Sequence, residues 1–296
     1  MKELQVAVVP GVYHRYEPRS AETPVVFDVS RSGREYPAAF RSPLSFSELH
    51  DNVSMYMEDF YAPAPDYGAT LLYACFPHTY IDANRSVRDI DPAVLEGEWP
   101  WPVEQSGVGK RGLGLIKTTS RYATPLQERP LTVEEVQERI VNYHEPYHRE
   151  LSRVIAKKRS DFGIALQISC HCMSAIGMPT HADPGQERAD FCIGDMHGKT
   201  SSPEYTDLVV GLFRDQGYSV TVNTPYDGGV LMSRNADPSD NVHSLMIEIN
   251  KRLFMDIETF KLTPGAVPTR MAVEEVIRQV CRYVGRQATK TPGAAR

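Results

Sequence analysis

No C-x-x-C pair, no long apolar run and no basic block longer than Lys157-Lys158-Arg159 occurs in this chain, and each absence closes a class of function. The five cysteines, Cys75, Cys170, Cys172, Cys192 and Cys281, are odd in number and scattered, which suits buried, reduced thiols and not a disulfide framework. Nothing resembles a membrane span, and Glu3 and Gln5 interrupt the first ten residues where a secretory signal would need a hydrophobic stretch. A cytoplasmic protein with no membrane partner is therefore expected. A net charge of −6 without a basic stripe argues against broad capture of nucleic acid. What remains is 296 residues, 41% of them hydrophobic, which is enough to bury a large core.

Short β-branched and apolar runs recur at 6–9, 25–29, 70–75, 164–170, 219–223 and 245–249, bounded by turn residues, and read as buried strands. Helical patterns lie between them. Thr132 with Glu135 three residues later forms a capping box, after which Val136, Ile140, Tyr143, Tyr147, Leu151 and Val154 mark one face. Ser202 followed by Pro203 opens a second helix that ends before Gly217, and a third spans 269–286 with Val273, Val276, Ile277, Val280 and Val284 on its buried side. Strands alternating with helices predict a single α/β domain over 1–287, a mostly parallel sheet flanked by helices in three layers. Sites in such folds gather at the carboxyl ends of strands. Residues 89–127, with Trp99-Pro100-Trp101-Pro102 and several glycines, read as a long surface excursion, and 178–188 as a lid after a strand end; 288–296 reads as a frayed tail.

Two short motifs carry less than they suggest. His144-Glu145-Pro146-Tyr147-His148 fits H-E-x-x-H, the zincin arrangement of two imidazoles one turn apart with a glutamate base. Pro146 inside it removes a helix hydrogen bond and crowds the carbonyl of Asn142, so the alternative is a kinked helix whose histidines pack or cap. Gly107-Val108-Gly109-Lys110-Arg111-Gly112 fits G-x-G-x-x-G but follows Pro100 and Pro102 in place of a strand, and reads as loop.

A stronger constellation sits at strand ends. The run 25–29 leads into Ser30-Arg31-Ser32-Gly33, the run 164–169 into Cys170-His171-Cys172, and Glu248 stands within an apolar strand. Ionisable groups there must be paired or functional, because burying them alone is costly.

In order along the chain, these segments resemble the N-formylglutamate amidohydrolase (deformylase) family from about Pro24 to Lys261. The resemblance is carried by Ser32-Gly33-Arg34-Glu35-Tyr36-Pro37, Gly68-Ala69-Thr70, Tyr80-Ile81-Asp82-Ala83-Asn84-Arg85 and Gly112-Leu113-Gly114-Leu115-Ile116. Tyr143 with Pro146-Tyr147-His148, the stretch 190–198, Pro225-Tyr226-Asp227-Gly228-Gly229 and 243–256 continue it. The resemblance implies a zinc-exopeptidase/phosphorylase-like α/β fold and hydrolysis of the linear amide of a small acidic N-formyl or N-acyl amino acid, an activity of amino-acid metabolism. It also implies roles: His171 and Glu58 as ligands of Zn2+, Glu248 as general base, and Arg85, Arg234, Tyr226 and Asn84 as substrate contacts.

This sequence departs from the family pattern where a ligand histidine precedes Ser-Gly, because Arg31 stands there, and Ser169 and Cys172 flank His171 where an acid and a serine are usual. Arginine has no lone pair to offer a metal. Three arrangements follow. Asp28, Cys172 or His148 repairs a metal site; or Arg31 replaces the cation by pairing with Glu58, while Glu248 and His171 move protons; or the fold is a metal-free carboxylate-binding protein without catalysis. A nucleophilic Cys170 or Cys172 beside His171 is weakest, since neighbours in a strand point to opposite faces.

Overall fold

The computed structural model describes residues 2–288. In chain order the strands are β1 Val6–Val9, β2 Tyr13–Tyr16, β3 Val25–Val29, β4 Thr70–Ala74, β5 Leu95–Glu96, β6 Leu131–Thr132, β7 Ala165–Met173, β8 Phe191–Gly194, β9 Val220–Val222 and β10 Val242–Asn250. The helices are α1 Phe46–Asp51, α2 Met57–Tyr61, α3 Val133–Arg139, α4 Glu145–Phe162, α5 Pro203–Arg214, α6 Val230–Asn235 and α7 Ala266–Ala288. Eight strands form one sheet in the order β1-β2-β4-β3-β7-β10-β8-β9, while β5 and β6 pair separately. The sheet is mixed. Its centre, β4-β3-β7-β10, is parallel, as is β8-β9; the β1-β2, β2-β4 and β10-β8 pairings are antiparallel.

Two apolar layers cover the sheet. On one face, Val25, Phe27, Val29, Leu166, Ile168, Ile247 and Ile249 pack with residues of α2, α5 and α7, including Val273, Ile277 and Val280. On the other, Val26, Leu72 and Ala165 pack with Val136, Tyr147, Leu151 and Val154 of the α3–α4 rod. Burial on both faces explains why the central strands read as continuous apolar runs. Polar residues nevertheless interrupt the second face: Asp28, Gln167, Ser169, His171, Ser244 and Glu248 are all buried.

The α3 capping box forms as expected, with Thr132 Oγ1 accepting from the Glu135 N–H at 3.2 Å and the Glu135 carboxylate accepting from the Thr132 N–H at 2.8 Å. Pro146 is tolerated because Ile140–His144 winds as a π-turn and α4 begins afresh, with the proline in its first turn. β2 escaped the sequence reading because Tyr13-His14-Arg15-Tyr16 is half-buried throughout and has no alternating pattern. The excursion 89–127 needs correction: it has little regular structure, but Ile90, Leu115, Ile116 and Leu126 are buried, and all but Leu126 join the α4-side core. Apolar residues in a loop are enough to draw it inside. Ala288 closes α7 with a buried side chain; the remainder of the expected frayed tail lies outside the described residues. Among the described residues no helix is long and apolar enough to cross a membrane.

The turn after β3 lies tightly against the end of β4. A Cβ at Gly33 would sit 2.2 Å from the Phe76 carbonyl oxygen and 2.5 Å from that of Cys75, backbone atoms that cannot yield cheaply. Gly33→Ala is therefore expected to lower stability by about 1–3 kcal/mol through overpacking, read as a lower urea midpoint with unchanged slope.

Candidate active site

Three strand ends and two loops meet over the polar part of the sheet. β3 delivers Ser30 and Arg31; the Arg31 carbonyl accepts from the Ser54 N–H at 2.9 Å. The turn after β4 brings in Asp82, whose carboxylate accepts from the Asn84 N–H at 3.0 Å and whose own N–H is bonded to the Leu115 carbonyl. Arg31 grips that carboxylate in a two-pronged pair, Nε to Oδ1 at 3.0 Å and Nη2 to Oδ2 at 2.7 Å. Lys117, from the excursion, places Nζ 3.4 Å from Oδ2. The Asp82 side chain is 0% exposed and that of Arg31 15%. Although burial works against its charge, Arg31 and Lys117 hold the Asp82 carboxyl well below the usual range.

Glu248 and His171 are partners in the parallel β10–β7 register, which puts their side chains on the same face. Burial pushes the Glu248 carboxyl up to about 7 against the pull of Arg31, Arg188 and Lys251. Burial lowers His171 to about 3, with Arg31 adding to the effect. The His171 ring is set from below: Ser169 Oγ lies 3.0 Å from Nε2 and donates to Asp28 Oδ1 at 3.3 Å, while Gln167 donates to Asp28 Oδ2 at 2.9 Å. With the hydroxyl proton turned to Asp28, Nε2 carries the ring proton and Nδ1 keeps its lone pair. His171 Nδ1, Glu248 Oε2 and His78 Nδ1 are all buried without a protein partner. Clustered orphans of this kind await a ligand or water.

Above them opens a cavity of about 290 Å³. Its lining sets Arg31, Arg85, Arg111, Lys117, Arg121 and Lys251 against Asp227 and Glu248, with Asp82 paired behind Arg31 and Lys117 and Asp51 behind Arg121 and Lys251, so cations still outnumber carboxylates. An acidic protein thus concentrates positive charge in one hollow, which selects anions. Burial lowers Lys117 to about 7 and Arg85 to about 10, Arg31 pushing both further down.

Of the residues expected from the sequence, Arg31, Asn84, Arg85, Tyr226 and Glu248 line this cavity, and His171 stands beside Glu248 in the sheet behind it. Asn84 Oδ1 accepts from the Leu231 N–H at 3.1 Å, an approach possible because Gly229 has no Cβ, which would fall 2.2 Å away. Arg85 donates to the Leu113 and Asn84 carbonyls, and Arg188 lies over the Tyr226 ring at 5.0 Å. Two expectations need correction. Glu58 is taken by the Ser32 hydroxyl and an Arg34 ion pair at 2.7 Å, so it neither reaches the cavity nor pairs with Arg31, whose partner is Asp82. Arg234 is exposed on α6, away from the lining.

The remaining candidates have structural employment. His144 and His148 stack with centroids 4.2 Å apart, and each donates from Nε2 to a carbonyl, that of Arg85 at 2.9 Å and that of Ala83 at 2.7 Å, while Glu145 faces solvent. They clamp the loop that carries Asn84 and Arg85, not a metal. Gly107–Gly112 is a loop with one short 3₁₀ turn, Gly109–Arg111. Cys170 belongs to the opposite core, and burial raises the cavity-lining Cys172 thiol to about 11, which removes nucleophilic thiolate at neutral pH. Lys117 and His78 were not foreseen, since single polar residues in irregular chain leave no periodic signal.

The residues present do not fit the zinc site that the sequence resemblance implies. Position 31 offers no lone pair, Glu58 points elsewhere, and Asp28 is committed to Gln167 and Ser169. Among the described residues, the group of three ligand atoms within 4.8 Å of one another is His14, Glu35 and Cys75, away from the cavity lining.

A sequence model of N-formylglutamate amidohydrolases matches residues 23–255. An N-formylglutamate deformylase of Pseudomonas putida is 25% identical over 78% of this chain and 82% of its own length. The crystal structure of an N-formylglutamate amidohydrolase from Ralstonia eutropha superposes with a TM-score of 0.87 at 33% identity, covering 94% of this chain and 99% of that one. An Agrobacterium tumefaciens gene product shares the fold at a TM-score of 0.63 and 17% identity, covering 89% and 92% of the two chains.

Removing Asp82 leaves two buried cations facing each other. Asp82→Asn is expected to cost about 3–5 kcal/mol in urea unfolding, and Asp82→Asn combined with Arg31→Met to recover a large part of it, because paired removal is tolerated where single removal is not.

Proposed function

This chain belongs to the N-formylglutamate amidohydrolase family, and from that premise we propose that its cavity hydrolyses the carbon–nitrogen bond of a small N-formyl amino acid bearing further carboxylate, with N-formylglutamate the model substrate. The observation that supports it most is Glu248: a carboxyl with an unpartnered oxygen, at the floor of a hollow lined by six basic side chains.

In this reading Arg85, fixed by two carbonyls, and the Arg121 and Lys251 side chains receive the substrate's carboxylates, so the formyl group rests over the sheet. Glu248 takes a proton from water as its oxygen bonds to the formyl carbon and the carbonyl electron pair moves to oxygen. The pair returns, the carbon–nitrogen bond breaks, and Glu248 delivers the proton to the departing nitrogen. Formate and the free amino acid leave. His171 presents its Nδ1 lone pair next to Glu248, positioned through Ser169 by Asp28. The cation-lined hollow also suits a carboxylate binder without turnover, and Glu248 separates the two readings.

Glu248→Gln keeps the shape and removes the base. Formate release from N-formyl-L-glutamate is expected to fall by about 10²–10⁴-fold while calorimetric affinity stays within about threefold. A wild-type protein that binds this ligand but releases no formate is the binder. Since the reaction needs Glu248 ionised and its carboxyl is raised to about 7, kcat/KM should climb as pH rises through about 7. Lys117, lowered to about 7, loses charge over the same range, so the wild-type profile should be a narrow maximum near 7, and Lys117→Arg should remove its falling limb and leave a plateau at higher pH.

A further inference from the structure

We propose that in this chain the Arg31 guanidinium, locked onto Asp82 and flanked by Lys117, supplies the positive charge at the reacting carbonyl, so that the cavity works without a metal ion. The proposal deepens the hydrolase reading and rests on it for the identity of the reacting group.

Arg31 stands at the mouth of β3 and lines the cavity, while Nε and Nη2 are spent on Asp82. The pair leaves Nη1 outside its fork, and holding the guanidinium by two bonds removes most of the freedom an arginine otherwise loses on binding. Both Asp82 oxygens are consumed: Oδ1 by Arg31 and the Asn84 N–H, Oδ2 by Arg31 and Lys117. A carboxylate so saturated has nothing left for a divalent ion. Arg31, Lys117 and Arg85 already crowd the same corner, where an added double charge would be repelled at short range in a buried setting. The same crowding makes an oxygen that gains negative charge welcome there, the role a pre-arranged donor plays in an oxyanion site. The two imidazoles in the corner, His78 and His171, keep unpartnered Nδ1 atoms and bring no charge of their own. The carbonyl electron pair that moves to oxygen when water adds is received by Arg31 and Lys117, and it returns when the carbon–nitrogen bond breaks.

The test uses the whole chain purified with zinc in the medium, before and after dialysis against 1,10-phenanthroline. Elemental analysis is expected to find no stoichiometric zinc that depends on His171, judged against His171→Ala, so that metal at His14, Glu35 and Cys75 is told apart. Titration of N-formyl-L-glutamate is expected to give the same Kd with and without the chelator. Arg31→Met combined with Asp82→Asn, which removes the pair together and spares the fold, should weaken binding by about tenfold or more and abolish formate release without rescue by zinc. Zinc at one equivalent, lost in His171→Ala and needed for binding or turnover, overturns the proposal. If formate release proves zinc-dependent, this assignment fails and the hydrolase reading stands; if binding is chelator-insensitive and no formate is released, the hydrolase reading fails and the role of Arg31 at a reacting carbonyl falls with it.

Discussion

A carboxylate with no access to water cannot keep its charge unless cations come to it, and Asp82 is such a group. Satisfying it draws Arg31 from the end of β3 and Lys117 from the excursion into one corner, fixing the positions of two otherwise independent loops. Arg85 follows three residues later in the same turn and adds a third cation. A second buried anion, Asp51, gathers Arg121 and Lys251 in the same way, so the excess positive charge of the cavity comes from two buried carboxylates that each hold more than one cation. An open hollow with that imbalance accepts anionic ligands because its walls are already arranged around charge.

The polar face of the sheet adds a second constraint. Asp28, Gln167, Ser169 and His171 would weaken the core if left unpaired, yet they bond to one another across β3 and β7. Ser244 closes the far end on Gln167 at 2.6 Å. The ladder stops at His171 Nδ1 and Glu248 Oε2, the atoms without partners. Satisfied polar groups give the sheet a rigid floor, and the unsatisfied ones at its edge mark where chemistry belongs.

Much of this was legible in the residues. Val25-Val26-Phe27-Asp28-Val29 and Leu245-Met246-Ile247-Glu248-Ile249 announce buried central strands because both of their faces are covered, and the Thr132–Glu135 box announces α3 by local chemistry alone. Arg31 and Glu248 stand at or in strands that the residues alone pick out, whereas Asn84, Arg85 and Tyr226, which also line the cavity, were implied by the family resemblance. Glu58 misled for a physical reason: a helical carboxylate at a plausible spacing was captured by Arg34, a competitor only three residues from Arg31. Lys117 stayed hidden, since its contribution depends on a loop folding inward on Leu115 and Ile116, and His78 because it stands alone in irregular chain after β4; neither leaves a local periodicity.

The π-turn at Ile140–His144 has a consequence for kinship. One surplus residue is absorbed where α3 meets α4, so everything beyond it is rotated by about 100° from the course a regular helix would take. That rotation carries His144 and His148 inward to the carbonyls they hold and leaves Glu145 in solvent. Deleting a single residue there would swing the imidazoles off the 83–85 loop with the rod's length almost unchanged. Homologues aligned by helix length alone would then be matched one position out of step.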